Sequence, residues 1–265
     1  MVFNPFGVTL ALLWDFIAMI ITIVALLALV QINAILQKKK VLSQIITRKL
    51  VHILAGPVFI LMWMLFSGEY YSRYIAVIVP ILFVVQFVAI GTGRMKNEDF
   101  VASMSRTGDP KELLQGTLYY SIVMVIMTIF WFYIPASGIG NASPTALIII
   151  GCVSGGDGIA DIIGRKFGGE RKFGIKGSQK TIVGSLGMLF GSIMVSSILV
   201  LIFSLEVATF NIINLILPII LISIVATIVE AISPKGIDNF TIFIAVIIVV
   251  LVLIIFFPDL YPYTF

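Results

Sequence analysis

Charged residues are scarce in this chain. Only 11% of its 265 residues are Asp, Glu, Lys or Arg, whereas 60% are hydrophobic. Soluble domains are about 25% charged and at most about half apolar, so the composition excludes a soluble enzyme and a disordered chain. The small number of charged residues also excludes a nucleic-acid binder. The net charge of +4 instead indicates loops beside an anionic membrane leaflet. Cysteine is nearly absent: Cys152 stands alone, which excludes an internal disulfide framework and a paired-cysteine site.

Long hydrophobic runs take the place of charge. A bilayer core about 30 Å thick needs roughly 20 apolar residues per helix, and eight segments are long enough. We predict an all-α, polytopic membrane protein that forms a single transmembrane domain over residues 1–265. The first segment has Lys38, Lys39 and Lys40 after it and no basic stretch before it, so we expect an uncleaved spanning helix. The predicted spans are 8–36, 50–67, 73–91, 116–135, 144–164, 181–204, 210–231 and 239–257.

The basic residues alternate between the two sides of the predicted bundle. All of the 17 Lys and Arg residues except Arg73 fall in or beside the loops after spans one, three, five and seven. The positive-inside rule therefore places these four loops in the cytoplasm and both termini outside. An odd number of spans would break this alternation. The loops on the other side are short, apart from the turn-rich segment 135–144.

Two acidic residues lie in the fifth predicted span. A charge at the bilayer centre costs at least ~2.5–3.5 kcal/mol, so such residues are functional candidates. Asp157 and Asp161 are four residues apart, which places their carboxylates on one helical face, about 6 Å apart. Two unpartnered carboxylates at that distance repel each other, and a divalent cation between them removes the conflict. Magnesium favours such oxygen ligands and takes its others from water or phosphate.

Glycines and basic residues surround this acid pair. Gly156 and Gly158 flank the first acid, and glycine lets the backbone approach a phosphate closely. Arg165 and Lys166 follow, and Lys180 ends the basic stretch. This combination indicates a metal and phosphate site. The alternative is that the glycines serve helix packing while the two acids pair with Arg165 and Lys166.

Further polar clusters fall on the same side. The only histidine, His52, follows Arg48 and Lys49 at the start of the second predicted span, although a lone histidine is often only a satisfied hydrogen-bonding residue. Glu230 ends span seven, and Asp238 with Asn239 opens span eight, where either could serve as a helix cap. A fourth cluster, residues 105–116, precedes span four and has the alternative of a solvated loop with a helix start at Asp109-Pro110.

In this order, these motifs resemble the family of membrane lipid-alcohol kinases that includes phytol kinase, dolichol kinase and the CTP-dependent diacylglycerol kinase of yeast type. The resemblance is closest to phytol (polyprenol) kinases and covers a core from residue 48 to residue 239, with residues 1–40 as an extra N-terminal span. The motifs are Arg48-Lys49-x-x-His52, Gly108-Asp-Pro-Lys-Glu112-Leu-Leu-Gln-Gly116-x-Leu-Tyr-Tyr120, Gly156-Asp157-Gly158-x-Ala-Asp161-x-x-Gly164-Arg165-x-x-Gly168, Lys180-Thr-x-x-Gly184-Ser185, and Glu230 with Asp238-Asn239.

The resemblance implies a multi-pass membrane enzyme with its active site facing the cytoplasm. It would transfer phosphate from a nucleoside triphosphate, typically CTP, with Mg²⁺, to an isoprenoid alcohol such as phytol, geranylgeraniol or dolichol that enters from the membrane lipids. Positioning and charge neutralisation dominate such chemistry. The implied catalytic residues are Asp157, Lys180, His52 and Glu230; the nucleotide and phosphate ligands are Arg48, Lys49, Gly156, Gly158, Arg165, Lys166, Gly184 and Asn239; the metal ligands are Asp157, Asp161 and Asp238.

Other functions remain as alternatives to an isoprenoid alcohol kinase. Within enzymes they are a diacylglycerol kinase and a phosphatidate cytidylyltransferase-like enzyme, although the long signature of the latter is missing. A small-solute membrane transporter would require polar groups at the bilayer midplane and internal symmetry.

Overall fold

The structure is a computed structural model that describes residues 4–105, 107–133, 142–170, 172–175, 178–207, 209–234 and 236–264. Arg106, Arg171, Lys176 and Lys235, which the charge pattern counts among the basic loops, lie outside the described residues. So does most of the turn-rich segment 135–144.

Within the described residues, eight helical segments are long and apolar enough to cross a membrane. This confirms the predicted all-α, eight-span membrane fold. The described residues contain no β-strand, and their only β-type pairing is an isolated bridge between Phe173 and Lys180. The sidedness of the termini stays a prediction. The segments are Val8–Lys38, Gln44–Leu65, Ser72–Gly91, Pro110–Trp131, Thr145–Phe167, Ile182–Phe203, Ile212–Ile232 and Asp238–Phe256.

Some of these segments consist of more than one helix. Short 3₁₀ turns at Val8–Leu10, Trp63–Leu65 and Pro110–Leu114 extend three of them. The α-helices are α1 (Ala11–Lys38), α2 (Gln44–Met62), α3 (Ser72–Ala76), α4 (Ile78–Gly91), α5 (Glu98–Met104), α6 (Gly116–Trp131), α7 (Thr145–Ile150), α8 (Asp157–Phe167), α9 (Ile182–Phe203), α10 (Ile212–Ile232) and α11 (Asp238–Phe256).

The second span begins earlier than predicted. Helix α2 starts at Gln44 rather than near residue 50, and the Ser43 hydroxyl caps it by accepting a hydrogen bond from the Ile46 amide. Arg48 and Lys49 therefore lie inside the helix, and His52 is two turns from its start. Charged residues persist there because they have acidic partners on α8.

The fifth span is the most enclosed of the eight. In an apolar stretch of 18 residues from this span, 78% is buried inside the protein, whereas the buried share of the corresponding stretch is 33–44% in the other spans. It consists of α7, a π-helix over Gly151–Gly156, and α8. Small residues permit this burial: a Cβ on Gly156 would collide with the Ser192 hydroxyl of α9, and one on Gly158 with Ile53 of α2. Close approach through small residues is the usual means of helix packing in membranes.

The predicted functional clusters meet at one end of the bundle. This end, here called the basic end, is formed by the C-terminal ends of α1, α4, α8 and α10 and the N-terminal ends of α2, α6, α9 and α11. Helix α8 packs against α2 and α9, and α11 packs against α6 and α10. The fold thereby gathers residues from distant parts of the chain at a single site.

Candidate active site

Asp157 is the first residue of α8 and forms the centre of the site. It is 6% exposed, and its Oδ2 lies 3.4 Å from Lys49 Nζ and 3.3 Å from His52 Nε2. Lys49 Nζ is also 3.4 Å from Asp161 Oδ2. Lys49 therefore lies between the two carboxylates and relieves the repulsion from which the sequence predicted a divalent cation.

Asp161, one turn further along α8, binds guanidinium groups. Arg165 Nε donates a hydrogen bond to Asp161 Oδ1 at 2.9 Å, and an Arg48 guanidinium nitrogen lies 3.6 Å from Oδ2. Lys166 does not join this group: it is exposed, and its Nζ lies 5.2 Å from the ring centre of Phe167. Arg48, Lys49 and Arg165 thus contact the acid pair, and of the two basic residues that the packing alternative pairs with the acids only Arg165 does so, whereas Lys166 points elsewhere.

His52 is held by the irregular part of the fifth span. Its Nε2 donates to the backbone carbonyl of Val153, in the π-helix, at 3.1 Å, and because a carbonyl only accepts, Nε2 carries the proton. The Ser154 hydroxyl donates to the backbone carbonyl of His52 at 2.9 Å, and the Tyr120 hydroxyl does so at 3.2 Å. The rings of His52 and Tyr120 lie 4.7 Å apart. The imidazole therefore has a fixed position beside Asp157.

A second charged group lies across the site from α8. Lys180, just before α9, donates a hydrogen bond to Glu230 of α10 and lies 3.9 Å from Asp238 Oδ2 of α11. Glu230 is only 2% exposed. Burial acts to lower the pKa of Lys180, but the carboxylates of Asp157, Glu230 and Asp238 outweigh it and hold that pKa above its ordinary value. Lys180 is therefore a stable cation.

The remaining predicted residues have structural contacts of their own. Asn239 Nδ2 donates to the Gly116 carbonyl at 2.9 Å, which ties α11 to α6, and its Oδ1 is buried with no hydrogen-bond partner among the described residues. Gly184 packs against the Ala160 carbonyl and donates its amide hydrogen to the Thr181 hydroxyl. The space beside Gly156 is filled by α9, so for this glycine the packing alternative describes what the structure shows.

Two cavities open beside these groups. The larger, about 750 Å³, is polar and lies between α8, α9 and the segment before α9; it is called the polar cavity here. The smaller, about 170 Å³, lies between α1, α2, α4 and α6. It is called the apolar cavity because every residue of α1 and α4 that lines it is apolar, among them Leu26, Val79 and Phe83. Lys49, Asp157 and Asp238 line both cavities.

The distribution of predicted residues between the cavities is uneven. Asp161, Arg165, Lys180, Gly184 and Glu230 line only the polar cavity. Arg48, His52 and Asn239 line only the apolar cavity, at its polar end. Gly156, Gly158 and Lys166 line neither.

Several residues of the apolar cavity have no role in the sequence-based prediction. Glu112, Gln115 and Tyr120 line its polar end. They lie in the quoted motif 108–120, so their place in that motif is the signal that could have marked them. Leu26 and Val30 of α1 also line it, and no feature of the sequence distinguishes them from their apolar neighbours.

The carboxylates of the site do not form a ready-made metal cage. Among the described residues, no three His, Cys, Asp or Glu side chains are grouped so as to hold a metal ion. Asp157 and Asp161 adjoin each other, whereas Asp238 faces Lys180. A metal ion held by any of the three predicted ligands would need water or phosphate oxygens for its remaining coordination positions, as magnesium usually does.

Fold and site together define a class: a polytopic helical membrane protein whose buried carboxylate and lysine cluster separates a polar from an apolar cavity. Several curated proteins are similar to the chain. A probable phytol kinase 2 of Oryza sativa subsp. japonica is 41% identical over 171 residues, covering 64% of this chain and 53% of the relative. Phytol kinase 1 of Arabidopsis thaliana is 34% identical over 216 residues, covering 80% of this chain and 68% of the relative.

The farnesol kinase of Arabidopsis thaliana is 36% identical over 211 residues, covering 77% of this chain and 64% of the relative. The chain belongs to this phytol and farnesol (polyprenol) kinase family, which confirms the resemblance of its motifs. It spans about half the length of several of the curated relatives that it matches, and the three named here are described as chloroplastic. No protein-family model and no solved structure matches the chain.

Proposed function

We propose that this protein is a kinase that transfers a phosphoryl group from a nucleoside triphosphate, CTP in the first place, to the hydroxyl of an isoprenoid alcohol. One observation carries this proposal: the polar and apolar cavities meet at Lys49, Asp157 and Asp238. Phosphoryl transfer to a lipid needs a water-soluble donor and a hydrophobic acceptor to reach one point from opposite sides. A shared wall of two acids and a cation supplies such a point.

The polar cavity has the charge and size for the triphosphate. Its volume of about 750 Å³ lies within the ~300–1,000 Å³ typical of small-molecule sites. Lys180 and Arg165 present cations along it, and the N-terminus of the 22-residue helix α9 opens beside Gly184. Backbone amides at a helix N-terminus favour bound phosphate. These groups would hold the phosphates while the reacting oxygens are brought into line.

Magnesium fits the junction if phosphate oxygens complete its shell. Mg²⁺ in phosphoryl-transfer sites commonly takes one or two carboxylates and fills its other positions with phosphate and water. Asp157, Asp238 and Asp161 are the carboxylates that would hold it, and its bound charge would neutralise the phosphate oxygens. Lys49, which lies between Asp157 and Asp161, would provide part of that neutralisation from the protein itself.

The apolar cavity would receive the alcohol with its hydroxyl at the junction. Asp157 is the group that would accept the hydroxyl proton, because its carboxylate borders both cavities. His52, whose Nε2 lies 3.3 Å from Asp157 Oδ2 and is held by the Val153 carbonyl, would fix the position of that carboxylate. Glu230 would act through Lys180, which it holds toward the phosphates. We further propose that the basic end faces the cytoplasm, which the concentration of Lys and Arg there supports.

The direct test is phosphorylation by the purified full chain in detergent or nanodiscs. Phytol, geranylgeraniol, dolichol and diacylglycerol would each be incubated with Mg²⁺ and with CTP, UTP or ATP radiolabelled on the γ-phosphate. We expect label on the isoprenoid alcohols and release of the nucleoside diphosphate. Release of pyrophosphate would indicate a nucleotidyltransferase, and labelled diacylglycerol alone would indicate the other lipid kinase; either result would overturn the proposal.

A pair of aspartate variants separates chemistry from general damage. Asp157→Asn should lower the rate on the order of 10²-fold or more, the usual contribution of a proton-accepting group. Asp99→Asn is the matched control, because Asp99 lies at the same end in an exposed pair with Lys38. We expect it to retain wild-type activity. Wild-type-like activity in Asp157→Asn would remove the central residue of the proposal.

A further inference from the structure

The inner end of the apolar cavity lies well inside the bundle. Leu26 is twelve residues before Lys38, the basic end of α1, and Val79 is twelve residues before Gly91, the basic end of α4. At 1.5 Å per residue both positions are about 18 Å from that end. Met124 of α6 lies eight residues past Gly116, about 12 Å in by the same rise. These three residues are the deepest on their helices to line the cavity.

Two packed clusters of buried residues enclose the cavity. Val30, Val51 and Phe87 line it and belong to a small cluster near the basic end. Leu26, Val79 and Met124 line it and belong to the main core of the protein. The cavity is therefore a gap between two separate regions of side-chain packing.

The main core is solid directly beyond the cavity. Phe59 of α2, Ala76 of α3 and Met127 of α6 lie about one turn deeper, and each is 0% exposed. Interiors packed in this way cannot admit extra atoms without strain of about 1–3 kcal/mol. The side chains of Leu26, Val79 and Met124 therefore close the cavity toward the opposite membrane face, and together they are called the floor.

We propose that the floor of Leu26, Val79 and Met124 sets the longest isoprenoid chain that the site accepts. This inference rests on the proposed kinase function, in which the hydroxyl lies at Lys49 and Asp157. The hydroxyl is fixed at one end of the cavity and the packed core closes the other end. The isoprenoid chain therefore has only a limited length available to it. Because the cavity is only about 170 Å³, the size of each lining side chain strongly affects the space left for the alcohol. The first span, which carries none of the sequence motifs, thereby contributes to substrate selection through Leu26.

The proposal is tested by relative specificity rather than by absolute rate. For wild type, Leu26→Ala, Leu26→Phe and Met124→Ala, kcat/KM would be measured with farnesol and with geranylgeraniol, which is one isoprene unit longer. We expect the ratio of geranylgeraniol to farnesol to rise on the order of tenfold in the alanine variants and to fall by a similar factor in Leu26→Phe. Loss of stability would lower both rates together and leave the ratio unchanged.

The adjacent residue provides the matched control. Leu27 is on the same helix but faces outward, with 40% of its surface exposed, so Leu27→Ala should keep the wild-type ratio. An unchanged ratio in both alanine variants of the floor, or an equal change in Leu27→Ala, would overturn the proposal.

A binding measurement keeps the two proposals distinguishable. If the wild-type protein phosphorylates none of the alcohols, the kinase proposal fails. A geranylgeraniol analogue with a photoreactive diazirine at the end of its chain still tests the floor. The floor predicts cross-links to the peptides around Leu26 or Met124 and their loss in the presence of excess unlabelled alcohol. Cross-links confined to lipid-facing residues would overturn it.

Discussion

Replacement of Lys49 by methionine tests the electrostatics of the site. Lys49 is 5% exposed, and its Nζ lies 3.4 Å from an oxygen of Asp157 and 3.4 Å from one of Asp161. With an effective dielectric constant of about 20, each of these pairs is worth about 5 kcal/mol of attraction. Methionine preserves the apolar stem of the side chain and removes this attraction, so it leaves two adjacent carboxylates without the cation between them.

The expected loss of stability is smaller than the raw attraction. Asp161 keeps Arg165 and Arg48, and Asp157 keeps His52, while removal of the lysine also removes the cost of burying it. Breaking a buried ion pair by deleting one partner costs about 3–5 kcal/mol, and the remaining partners place Lys49→Met near the lower figure. For a chain of this size, about 3 kcal/mol corresponds to a fall in Tm of roughly 6–12 °C.

Thermal unfolding of the purified protein in detergent measures this effect, with Lys38→Met as the matched control. Lys38 also pairs with an aspartate, but both side chains of its pair with Asp99 are 64% exposed, and exposed pairs contribute about 0–1 kcal/mol. The double variant Lys49→Met/Asp161→Asn should be more stable than Lys49→Met alone, because it removes one of the two repelling charges. Equal Tm values for Lys49→Met and Lys38→Met would refute the view that Lys49 holds the acid pair together.

Two further predictions concern packing and pH. Gly156→Ala places a Cβ against the Ser192 hydroxyl and should lower the free energy of unfolding by about 1–3 kcal/mol. Gly116→Ala is the control and should lower it less, because its Cβ would meet nothing closer than 3.8 Å. Equal losses of unfolding free energy in a denaturation series would contradict the packing role of Gly156. The pKa of Lys180 is raised above 10.5, so its stabilising contribution is complete below that pH and is lost only as the pH rises through the folded-state pKa. The Tm difference between wild type and Lys180→Met should therefore stay constant from neutral pH to about pH 9, and a difference that shrinks over this range would show that the carboxylates do not hold the charge.

The membrane spans were predictable because their signal is local. A run of apolar residues is recognised from its own composition, and the predicted span 181–204 corresponds to Ile182–Phe203 in the structure. The start of α2 was misplaced for the opposite reason: Arg48 and Lys49 are typical of a loop until their partners are known. Lys49 and Asp157 are 108 residues apart along the chain, so only the folded structure shows that they meet.

The residues of α8 show which part of a site follows from spacing. Arg165 is four residues after Asp161 and pairs with it, as residues on one helical face do. Lys166 is one residue further, which turns it away from that face, and it lies beside Phe167 instead. Helical geometry alone therefore separates the two basic residues, although composition treats them alike. No comparable rule identifies Leu26, because only its place in the wall of the apolar cavity distinguishes its side chain from its apolar neighbours.

The charge balance of the site connects its burial to its proposed ligand. Among the described residues, the carboxylates of Asp157, Asp161, Glu230 and Asp238 are matched by the cations of Arg48, Lys49, Arg165 and Lys180. In a cluster with equal numbers of both signs, the attraction between paired members offsets the cost of removing them from water. A nucleoside triphosphate would add several negative charges to this neutral cluster and would compete with the carboxylates for the same cations. A divalent cation that arrives with the triphosphate would restore the balance and would occupy the carboxylates that the phosphates displace from Lys180 and Lys49. Under the proposed function, magnesium would answer the charge of the nucleotide rather than the repulsion between Asp157 and Asp161, which Lys49 already relieves.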